Sequence, residues 1–212
     1  MSSEDGGNPS FMYEEGQSMK TIFAVKSKGI DPSNGKEIYV KKDGTETYTW
    51  NPKDKVACGI DEPKIWGNLN TMFRYKGITL NAIFSYRYGG QMYNYTLVNK
   101  VENIKPFDNA DKRVLTQRWQ KPGDVTPLKN IADRNRTTQS TSRFVQDNNE
   151  FSINSLSLSY DFNPEWVRRI GLDVVRIQAS TNDLATFSSI KQERGLDYPF
   201  ARTFNFGLSV SF

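Results

Sequence analysis

The sequence contains no histidine. That removes the side chain most often used as a general base near neutral pH, and the commonest transition-metal ligand with it. A single cysteine, Cys58, leaves nothing to pair with in an internal disulfide and no thiolate cluster for a metal. Serine is plentiful, but no Gly-x-Ser-x-Gly elbow accompanies it, and no glycine-rich phosphate loop is present. Asp61 and Glu62 are adjacent carboxylates, and neighbours in an extended chain point to opposite faces, so they make no acid/base pair. The stretch "DPSNGKE" from Asp31 places Gly35 one position early for a calcium-binding EF-hand loop and reads as a turn. The expectation is a protein with no catalytic, cofactor-binding or metal-binding residues, and not an enzyme.

Long apolar runs are missing too. No stretch reaches the ~18 apolar residues of a membrane-crossing helix. The opening "MSSEDGGNPS" is acidic and polar, unlike a signal peptide, and residues 1–17 read as a linker or loop. The formal net charge of +4 is mild. No stripe of Lys and Arg is interleaved with aromatics, so nucleic acid is not an expected partner. Arg134, Arg136 and Arg143 fall in a Ser/Thr/Asn-rich segment and read as a solvated loop.

What the sequence does have is aromatics, at 13%, and strict alternation. In "TFNFGLSVSF", Phe204, Phe206, Leu208, Val210 and Phe212 alternate with small or polar residues. In residues 78–88, Ile78, Leu80, Ala82, Phe84, Tyr86 and Tyr88 share one face, with Leu69, Phe73 and Tyr75 alternating before them across a Lys76-Gly77 hairpin turn. Residues 151–162 and 172–181 alternate as well, and two shorter strands are expected near 19–27 and 36–42. The reading is all-β, with roughly seven strands in an antiparallel meander.

The polar face of these strands is mostly Ser, Thr, Asn, Gln and Arg, whereas Lys and Glu sit in the loops. A solvated outer face is usually rich in Lys and Glu; a wet lumen with lipid on the other side is not. The connections agree. With Lys76-Gly77 on the periplasmic side, the long segments 89–150 and 182–202 fall outside the cell and the short 163–171 falls in the periplasm. Tyr75, Tyr160, Phe162 and Phe212 then form one interfacial belt, and Tyr86, Tyr88, Phe151 and Phe204 the other. The rival reading is a soluble extracellular β-sandwich that binds glycans, with the same apolar rows as its core. On the long loop, Tyr93, Tyr95 and Trp119 are candidate exposed rings for stacking on a sugar or meeting a lid, against the plainer reading that they pack the loop.

Several segments in order resemble the C-terminal part of a SusC/RagA-type TonB-dependent transporter. These are "YEEGQSM", "KGIDPSNGKEIY", "EPKIWGNLNTMFRYKGITLNAIFSYRYGGQMYN", "LTQRWQKPGDVTPL", "NEFSINSLSLSYDFNPEW", "IGLDVVRIQASTNDL" and "YPFARTFNFGLSVSF". The family's acidic motif before the last strand is not intact, and "GLDYPF" runs directly into that strand. The resemblance implies the C-terminal section of a large outer-membrane β-barrel of about 22 strands with long extracellular loops. Residues 18–63 would be a hairpin and extracellular loop region, and 64–212 the closing barrel strands. It implies import of glycans or peptides and a SusD-like surface lipoprotein as lid. It also implies energy from TonB, through a plug and TonB box that this sequence lacks. A C-terminal row of Phe204, Phe206, Leu208, Val210 and Phe212 resembles the signal read by the outer-membrane barrel assembly machinery. The expected location is the outer membrane with the C-terminus periplasmic.

Overall fold

Alternation of apolar and polar residues builds the larger of two antiparallel sheets, and long-range pairing builds the other. A computed structural model describes residues 14–104, 111–133, 138–191 and 202–212. In chain order the strands are β1 (Thr21–Ile30), β2 (Glu37–Val40), β3 (Glu46–Thr47), β4 (Lys55–Ile60), β5 (Ile65–Tyr75), β6 (Ile78–Tyr93), β7 (Val145–Asp161), β8 (Val174–Ser188) and β9 (Phe204–Ser211). Two short helices, α1 (Arg113–Thr116) and α2 (Pro164–Arg169), and a π-helical turn at Leu97–Glu102 interrupt them. Two compact units result. One joins the described residues up to Glu62 with Gly90–Asp147; the other joins Pro63–Gly89 with Asn148–Phe212.

In the second unit the sheet order is β5-β6-β7-β8-β9, so every strand pairs with its chain neighbour. The β5–β6 hairpin closes through Lys76 (φ 45°) and Gly77 (φ 85°), the paired positive dihedrals of a tight hairpin turn. Gly77 is needed twice over. A Cβ there would sit 2.6 Å from the carbonyl oxygen of Asp161, whose N–H donates to the Gly77 carbonyl at 2.8 Å. Register places Leu69 opposite Phe84, Phe73 opposite Leu80 and Tyr75 opposite Ile78. Leu158 and Tyr160 face Ala179 and Ile177, which face Phe206 and Leu208. One continuous apolar face follows, and it is open: Phe73 is 64% exposed, Leu208 69% and Phe206 83%. A sandwich would bury this face as its core. The soluble-sandwich alternative is therefore set aside.

The first unit carries the sheet β3-β2-β1-β4. Its core joins Ile22, Tyr93, Val98 and Phe144, with a second cluster of Val101, Val114 and Leu128. The β1–β2 connection is the expected turn. Asp31 accepts from the Ser33 N–H at 2.8 Å, from the Asn34 amide at 3.0 Å and from the Tyr48 hydroxyl at 2.5 Å.

Three expectations change. Strands β6, β7 and β8 run beyond the alternating stretches 78–88, 151–162 and 172–181, so the connection expected at 89–150 spans 94–144, and its described residues pack into a core of their own. Nine strands are described where roughly seven were expected, because β3 and β4 are short and do not alternate. Arg143 is buried rather than solvated; Arg134 and Arg136 lie outside the described residues, as do residues 1–13 and the "GLDYPF" segment.

Candidate functional site: the polar wall of the meander sheet

Side chains facing away from the apolar rows form a polar wall across five strands. Asn68 and Asn70 of β5 lie opposite Ser85 and Ile83, and Trp66 lies opposite Arg87. Ser157, Ser159 and Asp161 of β7 lie opposite Ser180, Gln178 and Arg176, which lie opposite Asn205, Gly207 and Ser209. Small polar groups tie the strands together. The Ser85 hydroxyl donates to the Asn154 side-chain oxygen at 3.2 Å. At the Gly77 end, Asp161 accepts from Arg176 through both Nε and an Nη, the latter at 3.0 Å, and lies 3.4 Å from an Arg74 guanidinium nitrogen. This end of the wall is cross-braced between β5, β7 and β8.

Trp66 is the aromatic residue of β5 on this wall. It is an indole 72% exposed on a face of amides, hydroxyls and charged groups that also carries the aliphatic Met72 and Ile83. An exposed indole flanked by Asn68 and facing Arg87 offers a flat apolar surface with hydrogen-bonding groups beside it. That combination accommodates a sugar ring or a peptide side chain. The sequence reading missed it because Trp66 falls on the polar parity of β5, one position out of step with Leu69, Phe73 and Tyr75. An aromatic out of step with an apolar row was the available signal.

The apolar face has aromatic clusters at both ends. Phe84 stacks on Phe151 at 5.8 Å between centroids, and Phe151 lies 6.4 Å from Phe187. Tyr160 meets Phe162 edge-on at 5.0 Å at the turn end. Phe204, Phe206, Leu208 and Val210 stand in one exposed row on β9, opposite Thr181, Ala179, Ile177 and Val175, and Phe212 beyond the strand is exposed.

The three loop aromatics do not form one exposed set. Tyr93 is buried against Phe144, with centroids 6.0 Å apart. Trp119 is also buried: its indole N–H donates to the Pro32 carbonyl at 2.9 Å, and its ring lies where a Cβ of Gly35 would be, at 2.5 Å. Both pack their unit. Tyr95 alone remains exposed, edge-on to Tyr93 at 4.9 Å.

The same unit holds an ion cluster that local sequence does not announce. Arg143 donates to Glu37 at 2.9 and 3.2 Å and to Glu102 at 2.8 Å, and its guanidinium lies 4.3 Å from the Phe144 ring centroid. Burial alone would push this guanidinium down, but Glu37 and Glu102 outweigh it and hold it above its ordinary value. Arg118 caps the carbonyls of Val101, Glu102 and Lys129 at 2.8, 2.9 and 3.2 Å. Both arginines pin the long connection through bonds to carboxylates or backbone carbonyls. Among the described residues, no group of three or more His, Cys, Asp or Glu is placed to hold a metal, and no helix is long and apolar enough to cross a membrane.

Comparison with known proteins adds a consistent picture. No family model matches the sequence. The TonB-dependent receptor P3 of Formosa agariphila is 25% identical over 95% of this chain and 23% of its own length. The TonB-dependent receptor P39 of the same organism is 25% identical over 64% of this chain and 13% of its own length. Among solved structures, a chain of the RagAB peptide importer in its open-open state superposes with a TM-score of 0.69 at 18% identity, covering 91% of this chain and 22% of that one. The closed-closed state gives 0.65 at 17% identity, covering 91% and 23%. This chain is similar to TonB-dependent receptors over nearly all of its length. It has the fold of a stretch of the RagAB importer, an antiparallel run of barrel strands that does not close on itself. It spans about a quarter or less of the length of these proteins.

Proposed function

We propose that residues 64–212 form the C-terminal strands of the barrel of an outer-membrane TonB-dependent receptor that imports glycans. The observation that carries this reading is the open apolar face, backed by a polar wall, on a single meander sheet. Water on both sides would leave that face uncovered at great cost, whereas lipid covers it without any second layer. The polar wall then lines the lumen. Lys76-Gly77 and α2 lie on the periplasmic side, and the connections 94–144 and 189–203 lie outside the cell, with residues 18–63 among the extracellular elements.

In this arrangement Trp66 stands on the lumen wall near the extracellular mouth, because it is at the far end of β5 from the periplasmic turn. It is the residue we assign to contact the passing solute, with Asn68 and Arg87 beside it. A SusD-like surface lipoprotein would close the mouth, and TonB would act through a plug outside this chain. The row Phe204, Phe206, Leu208, Val210 and Phe212 would be the segment read by the barrel assembly machinery.

The test uses the complete receptor. Titration with laminarihexaose, maltoheptaose and a tryptic casein digest is expected to give binding for at least one oligosaccharide. Trp66→Ala should weaken it by about tenfold, or roughly 1.4 kcal/mol. Binding of the digest alone would refute the glycan assignment. Unchanged affinity in Trp66→Ala would refute the contact.

A further inference from the structure

The apolar face is not uniform. Ala179 stands between two larger side chains in register, Leu158 on β7 and Phe206 on β9. One step toward the turn, Ile177 stands between Tyr160 and Leu208. A small residue between tall ones makes a trough, and a groove of about 640 Å³ lies there, lined by Ile78, Leu158, Tyr160, Ile177, Phe206 and Leu208. That volume is in the range of small-molecule sites, ~300–1,000 Å³.

Beyond the groove comes α2. Asn163 caps it by accepting from the Glu165 N–H at 2.9 Å, and buried Val167 anchors it. Trp166 and Ile170, one turn apart on the same side, are 64% and 71% exposed. Arg168 and Arg169 are exposed between them. Tyr160 precedes the cap by three residues, about 10 Å of extended chain. Lys76 lies in the neighbouring turn, with its Nζ 5.3 Å from the centroid of the Tyr75 ring. Two acidic groups flank the segment, Glu165 and Asp173, while Asp161 is taken by Arg74 and Arg176 on the opposite face. With the Phe212 carboxylate following Ser211, whose carbonyl accepts from the Asp173 N–H at 2.8 Å, three anions balance Lys76, Arg168 and Arg169, and the positive charge is concentrated at the adjacent Arg168 and Arg169.

We propose that this is a binding site for one anionic glycerophospholipid of the periplasmic leaflet. An acyl chain lies in the Ala179 trough, Trp166 and Ile170 sit at the headgroup boundary, and the phosphate is held by Arg168 and Arg169. The site rests on the membrane reading given above. Its chemistry is the pairing of an apolar groove with a cationic aromatic turn at one end, which an acyl chain joined to a phosphate satisfies at once. Phosphate binding by paired guanidinium groups supplies the selectivity for charge.

The experiment reconstitutes the complete receptor in nanodiscs of equal parts phosphatidylglycerol and phosphatidylcholine. Retained lipid is then read by native mass spectrometry after transfer to mild detergent. One phosphatidylglycerol should be retained over phosphatidylcholine by roughly five to one, about 1 kcal/mol of selectivity. Arg168→Gln with Arg169→Gln should bring the ratio near unity without removing the lipid, and Ala179→Phe, which fills the trough, should remove it. Heat-modifiable migration on gels verifies that each variant is a folded barrel. No preference in the unmodified receptor, a preference that survives loss of both arginines, or a lipid that survives Ala179→Phe would each overturn the site. A receptor that stays soluble and does not enter nanodiscs would overturn the membrane reading, and this site with it.

Discussion

Arg143 ties together distant parts of the first unit. Its guanidinium is buried between Glu37, which lies 106 residues away in sequence, and Glu102, which lies 41 away. Removing one partner of a buried ionic group leaves the others uncompensated, at a cost of about 3–5 kcal/mol. Arg143→Met in the complete receptor is therefore expected to open the 94–144 connection to limited proteolysis, while Arg143→Lys, which keeps charge but loses the fork, should fall between. Equal protease resistance in Arg143→Met would show that the cluster is dispensable. Gly77 is the corresponding residue in the sheet. Gly77→Ala combines a left-handed φ with a clash against the Asp161 carbonyl, and should destabilise the β5–β6 turn by about 1–2 kcal/mol. The Lys76-Gly77 turn was legible because turn chemistry is local. The burial of Arg143 was not, because a Ser/Thr-rich neighbourhood says nothing about two glutamates brought from distant strands.

The strands of the larger sheet each present two unlike faces. On β8 and β9 the residues Ile177, Ala179, Phe206 and Leu208 share one side, and Gln178, Arg176, Asn205 and Ser209 share the other. With lipid against the first side, Phe206→Arg should cost about 2–4 kcal/mol if near the bilayer midplane, and Gln178→Arg much less. Urea-induced unfolding of the receptor in vesicles measures both, and equal costs would contradict the assignment of faces. The faces were readable from period-two alternation in 78–88, 172–181 and 203–212. The ends were not: Gly89, Gly90 and Gln91 break the pattern of β6, yet the strand continues to Tyr93. β4 does not alternate cleanly either, and it exists through its pairing with β1. Trp66, proposed above to contact a passing solute, was illegible for the opposite reason: it is an apolar side chain on the polar side.

For the whole molecule, five strands with two open edges and an uncovered apolar face do not make a stable soluble body. Residues 1–212 expressed alone without detergent are expected to aggregate; a monodisperse monomer with a cooperative melt would contradict this. Sidedness in cells carrying the complete receptor, with Cys58→Ser, is a second check. Cysteine at Val125 should react with an impermeant thiol reagent, and cysteine at Glu165 should react only after the outer membrane is permeabilised. Reversed labelling would invert the topology. Whether one sheet separates lipid from a wet lumen is read by spin labels on the receptor in vesicles, one at a time, at Leu158, Phe206, Asn68 and Gln178. Labels at Leu158 and Phe206 are expected to be relaxed by oxygen and shielded from a water-soluble nickel chelate, with the reverse at Asn68 and Gln178. Labels at all four positions relaxed alike by the chelate would contradict that separation.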